Sequence, residues 1–93
     1  MIKDVHLSPL ALKQIKKTPL YIVGKLMMWV DSVEKQGLEA VRKIPGFHDE
    51  PLKGDRKGQR SIRLNKAYRA IYEIKANNSI EFVSIEEVTK HEY

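Results

Sequence analysis

Apolar residues recur at helical spacing through the first third of the chain and at every second position through the last third, with the change of period at Gln59. Ser8-Pro9 opens the first helical stretch, because a serine oxygen accepts from a free amide and proline at the first helical position forfeits no hydrogen bond. A short helix from Pro9 to about Lys17 is expected. Thr18-Pro19 repeats the signal, and Ile22, Val23, Leu26, Met27, Val30 and Val33 follow on one face until Gly37, a natural C-terminal cap. The two helices form a predicted hairpin. Leu38 to Lys43 adds a helical turn before Pro45-Gly46 stops it, and Phe47 to Lys53 reads as an irregular connection.

From Gln59 onward Arg60, Ile62 and Leu64 alternate with Ser61, Arg63 and Asn65, and Tyr68, Ala70, Tyr72 and Ile74 alternate with Arg69, Ile71 and Glu73. Ile80 to Val88 supplies a third run. The connections Asn65-Lys66-Ala67 and Ala76-Asn77-Asn78-Ser79 are short enough to require antiparallel hairpins. Met1 to His6 offers an edge strand. The predicted class is α+β, an N-terminal helical hairpin packed on one face of a three- to four-stranded antiparallel sheet. Ile62 and Leu64 then point to the helices, so Ser61 and Arg63 are expected to face solvent on the open side. Met27, Met28, Tyr68 and Tyr72 are assigned to packing, with Trp29 partly exposed.

The chain of 93 residues has the length of one domain, residues 1–93, and its 42% hydrophobic content is spread through every segment as a folded core requires. It contains no cysteine, which excludes disulfides and thiolate metal sites. The N-terminal residues lack the apolar run of a leader, and Leu26 to Val30, the longest apolar stretch, is too short to span a bilayer. A cytoplasmic protein without a membrane role is expected. His6 and His48 lie on separate elements with no third ligand at a recognised spacing, so neither metal nor another cofactor is anticipated.

Charge changes the picture more. The formal net charge is +5, and seven of the seventeen Lys and Arg residues fall between Leu52 and Arg69. Cations in a loop attract any polyanion, but cations alternating with Ile62 and Leu64 are held at fixed spacing on a sheet, where they can meet particular phosphates. RNA can be cut without metal when its own 2′-hydroxyl attacks the neighbouring phosphate. That reaction needs a base for the hydroxyl proton, cations for the developing charge and an acid for the departing 5′-oxygen. Glu50 or a nearby lysine fits the base, Arg63 and Arg69 the cations, and His91 the acid, since a histidine of ordinary pKa, about 6.5, exchanges protons near neutrality.

The run Leu52-Lys53-Gly54-Asp55-Arg56, then Gly58-Gln59, Ser61-Ile62-Arg63, Asn65 and Tyr68-Arg69-Ala70-Ile71-Tyr72 resembles the core signature of the HigB-type toxins in the RelE/ParE superfamily of bacterial toxin–antitoxin systems. The resemblance covers nearly the whole chain and is sharpest from Leu52 to Tyr72. It implies a RelE-like fold and a metal-independent endoribonuclease that enters the ribosomal A site, cleaves mRNA and halts translation. By the same resemblance Arg63 is a phosphate-binding cation, Arg69 stabilises charge at the scissile phosphate, and Glu50, followed by Pro51-Leu52-Lys53, matches the general base of the YoeB branch. The chain closes with Lys90-His91-Glu92-Tyr93, whereas HigB chains commonly close with Asp-Tyr-His and YoeB chains with Tyr-His-Tyr. His91 and Tyr93 supply the acid and a base-stacking ring in that reading, with His91 favoured as acid.

Lys53, Arg56, Lys57, Arg60, Ser61, Lys66 and Lys90 complete the expected RNA-binding set. The resemblance further implies ribosome and mRNA as targets and a cognate antitoxin, of the helix-turn-helix HigA-like kind, that covers the basic face. Two other readings compete with it: a ParE-like gyrase inhibitor of the same fold, and a non-catalytic nucleic-acid-binding module.

Overall fold

The computed structural model describes residues 1–90; His91, Glu92 and Tyr93 lie outside the described residues. Strand β1 (Val5–Leu7) leads into helices α1 (Pro9–Ile15), α2 (Leu20–Gln36) and α3 (Leu38–Arg42), and the chain then enters the sheet through β2 (Glu50–Pro51), β3 (Gln59–Arg63), β4 (Tyr68–Asn77) and β5 (Ile80–Lys90). The five strands lie in the order β1-β5-β4-β3-β2, antiparallel except for β1, which runs parallel to β5. The expected architecture is thus present with one strand added. The two-residue β2 falls within the stretch expected to be irregular, because a period of two needs a longer run to show itself.

Local chemistry explains the helix ends. Ser8 Oγ accepts from the Ala11 amide at 3.0 Å and donates to the Glu86 carbonyl at 2.8 Å, so the cap of α1 also ties that helix to β5. Thr18 does not cap α2; its hydroxyl donates back to the Gln14 carbonyl at 2.8 Å and closes α1 instead. Gly37 joins α2 to α3 with a φ of +88°, a backbone angle that favours glycine.

Ile22, Leu26, Trp29, Val30 and Val33 of α2 pack on Ile62, Ala70, Tyr72, Val83, Ile85 and Val88 of the sheet. Trp29, expected partly exposed, is fully buried, with its ring 5.1 Å from that of Tyr72. Met27 and Met28 are the reverse: assigned to packing, they stand exposed on the outer side of α2, because the helical repeat turns them away from the sheet. Among the described residues no helix is long and apolar enough to cross a membrane.

Candidate functional site

With the helices on one face, alternation assigns the strand residues to the helix side or the open side, except at the bulge in β5, where Glu86 has no partner between the Ile71–Glu87 and Tyr72–Ile85 pairs. Opposed residues in the ladder share a face, so Glu50, Ser61, Ile71 and Glu87 form one row across the open side, and Arg63, Arg69 and Thr89 form the next. Arg63 and Arg69 are direct neighbours across the β3–β4 hairpin. The turn between them is held by Asn65, whose Oδ1 accepts from the amides of Ala67 at 2.8 Å and Tyr68 at 2.7 Å. Glu50 stands beside Ser61, one strand further out, and is exposed. The sheet therefore brings three of the predicted residues, Glu50, Arg63 and Arg69, to adjacent rows of one face.

Ser61 departs from expectation. It is on the open side but 1% exposed, because Arg69 Nη1 donates to its Oγ at 3.1 Å and lies across it. Its part is to orient Arg69 by accepting from the guanidinium.

Charge is distributed unevenly along this face. At the end near the β4–β5 turn, Lys75 sits 3.7 Å from Glu73 and 3.3 Å from Glu86, and Ser84 Oγ donates to Glu86 at 2.5 Å, so two carboxylates share one ammonium. In the middle Arg56 pairs with Glu87 and its Nε donates to Gln59 Oε1 at 2.9 Å. At the end carrying Arg63 and Arg69 no ion pair to either arginine is found among the described residues. Two adjacent guanidiniums with no ion pair among the described residues offer planar donors suited to phosphate oxygens.

The remaining predicted cations divide. Lys66 is exposed in the turn beside Arg63 and Arg69, while Lys53 and Lys57 are exposed on the segment leading from β2 to β3. Arg60 is not brought to this face. It opposes Tyr72 on the helix side, where its Nε donates to Asp49 Oδ1 at 2.5 Å and the Tyr72 hydroxyl donates to Asp49 Oδ2 at 2.5 Å. Lys90 opposes Tyr68 and so also belongs to the helix-side row, exposed at the sheet's end. His91 and Tyr93 lie outside the described residues.

The Asp49 cluster was not visible in the sequence as anything but part of a solvated acidic loop with His48 and Glu50. The Asp49 side chain is fully buried and Arg60 is 22% exposed. Burial and the hydrogen bond to Asp49 push the Tyr72 hydroxyl far above its ordinary pKa. Burial works against the Arg60 charge, but the hydrogen bond and charge of Asp49 outweigh it and hold the guanidinium more firmly protonated than usual. No sequence signal joins residues 49, 60 and 72, because β2–β3 and β3–β4 pairing alone makes them neighbours.

No known family model matches the sequence, and no curated protein does. Solved structures do share its fold. A point mutant of YafQ from E. coli superposes with a TM-score of 0.72 at 19% identity, over 94% of this chain and 91% of YafQ. The toxin–antitoxin complex RelBE2 from Mycobacterium tuberculosis contains a chain matched at a TM-score of 0.68 and 18% identity, over 98% of this chain and 100% of that one. The heterotetrameric YoeB-YefM toxin–antitoxin complex from Staphylococcus aureus contains one matched at 0.66 and 25% identity, over 97% of both. The chain has the fold of the RelE/ParE toxins.

Proposed function

We propose that this chain, acting as one domain over residues 1–93, is the toxin of a type II toxin–antitoxin system and cleaves ribosome-bound mRNA without a metal. The observation that carries this reading is the Arg63–Arg69 pair, side by side on the open face, with the Glu50 carboxylate on the same face one strand away. The HigB-like signature from Leu52 to Tyr72 supports the same reading.

The proposed chemistry draws Glu50, Arg63 and Arg69 from this face and His91 and Tyr93 from the sequence resemblance. Glu50 takes the proton of the 2′-hydroxyl, and the freed oxygen attacks the adjacent phosphorus. Arg69, oriented by Ser61, and Arg63 neutralise the charge that grows on the phosphate oxygens in the crowded intermediate. The bond to the 5′-oxygen breaks, leaving a 2′,3′-cyclic phosphate, and the departing oxygen receives a proton from His91, with Tyr93 stacking on a base. Lys53, Lys57 and Lys66 attract and position the RNA backbone, a contribution that weakens as salt rises. The carboxylate of Glu87 and the lost reach of Arg60 narrow the contact surface to the Arg63–Arg69 end.

A cytoplasmic protein of this kind is held silent by an antitoxin; the complexes of RelBE2 and YoeB-YefM supply the precedent for a partner, and a HigA-like helix-turn-helix protein encoded next door fits the HigB-like signature. An acidic segment of that partner would be drawn to the chain by its +5 charge.

Primer extension on a message translated in a purified system tests the function. Cuts within ribosome-bound codons, lost in Arg69→Ala, are expected. Intact message together with a DNA-damage response in cells would point to gyrase as the target, and RNA binding without any cleavage would leave a binding module.

A further inference from the structure

Strand β2 is a weak platform for a general base. It has two residues, occupies the edge of the sheet, and one of the two is Pro51, which has no amide to donate. It is entered through His48, a non-glycine residue in the left-handed region at φ +46°. Backbone pairing to β3 consists of the Glu50–Ser61 and Pro51–Arg60 positions, reinforced by the Leu52 amide donating to the Gln59 carbonyl at 2.8 Å. Something else must hold Glu50 in place.

Asp49 is that restraint. Asp49 immediately precedes β2 and reaches the helix side, whereas Glu50 is paired with Ser61 on the open side, so restraining the one limits the freedom of the next. The Asp49 carboxylate is buried between two donors, Arg60 from β3 and Tyr72 from β4, at 2.5 Å each. Tyr72 is itself immobilised in the core against Trp29. We propose that Asp49 is a positioning residue: clamped by Arg60 and Tyr72, it aims the neighbouring Glu50 carboxylate at the Ser61–Arg69 end of the open face. The role assigned to Glu50 rests on the function proposed above; the clamp itself does not.

Two measurements separate these. Amide exchange in Asp49→Ala should quicken at Glu50 and Leu52 by about tenfold or more, while the β4–β5 amides remain protected as in the unaltered protein. Exchange at Glu50 and Leu52 unchanged in a folded Asp49→Ala protein would overturn the clamp, whatever the chain cleaves. Tyr72→Phe removes one of the two donors and keeps the ring in the core, so a smaller loss of protection at the same two amides is expected even where Asp49→Ala fails to fold; none at all would likewise overturn the clamp.

Cleavage of ribosome-bound message then reads the link to Glu50. A misplaced base costs on the order of 10²-fold in rate, so Asp49→Ala should lose about that much. In a Glu50→Gln background the same Asp49 substitution should cost almost nothing further, because a residue that acts only through Glu50 has nothing left to position. Equal losses in both backgrounds, multiplying in the double variant, would mean that Asp49 only supports the fold and would overturn the proposal. If the unaltered chain leaves translated message intact, the cleavage reading falls and the exchange measurement alone decides the clamp.

Discussion

Arg60 and Arg69 lie on neighbouring strands of one hairpin, β3 and β4, yet meet opposite surroundings. Arg60 faces the helices, where the buried Asp49 carboxylate neutralises it and Tyr72 shares the same acceptor. Arg69 faces the open side and touches a neutral hydroxyl, Ser61 Oγ at 3.1 Å. A paired, desolvated charge stabilises local geometry and has little attraction left for a ligand. An oriented but uncompensated one keeps its field for an incoming anion. The same side chain is thus structural on one face and available for chemistry on the other, and the partner within hydrogen-bonding reach makes the difference.

The largest effect should come from the open side. Arg69→Ala is expected to lower mRNA cleavage by about 10²–10³-fold, the usual loss on removing one oriented donor from a developing anion, with an unchanged melting temperature. A drop in melting temperature as large as that of Arg60 variants would erase the contrast. On the helix side Arg60→Met should destabilise the fold by about 3 kcal/mol, because it leaves the Asp49 carboxylate buried without its cation; chemical denaturation measures this directly.

Alkali sharpens the comparison further. The Tyr72 hydroxyl is held protonated well above its ordinary pKa near 10, so the folded protein keeps a proton that the unfolded chain gives up. Its contribution to stability is therefore full below pH 10 and declines as pH rises beyond it toward the folded value. Denaturation followed between pH 9 and about 11.5 should show this decline, and Tyr72→Phe should flatten it. Least affected should be the central pair of the open face: Glu87→Gln releases Arg56 from a half-exposed contact and should change stability by less than about 1 kcal/mol. If the same substitution tightens RNA binding, measured by its salt dependence, Arg56 joins the phosphate contacts proposed for Arg63 and Arg69.

The alternation of Ile62 and Leu64 with Arg63 was enough to divide β3 between core and open face, because burying one side of a sheet permits a single register. The pattern did not say which side Arg69 takes, because both sets of positions in β4 are mixed; the register that opposes it to Arg63 decides it. Other features were beyond the pattern. Trp29 is buried because Tyr72 meets it from the sheet, a contact between residues on different elements. Ser61 is buried because a long side chain from the next strand crosses it. The two-residue β2 carries no period at all.

The sequence by itself determined the class of fold, the cationic hairpin and the residue types that RNA cleavage would need, since these rest on periodicity, turn chemistry and charge, all of which are local. Tertiary structure decided which cations are available. Asp49 claims Arg60 and Glu87 claims Arg56, while Arg63 and Arg69 reach the described surface without a carboxylate. Those outcomes depend on strand register and on which acid lies within hydrogen-bonding distance, and electrostatic pairing at that range is set only once the strands have been brought together.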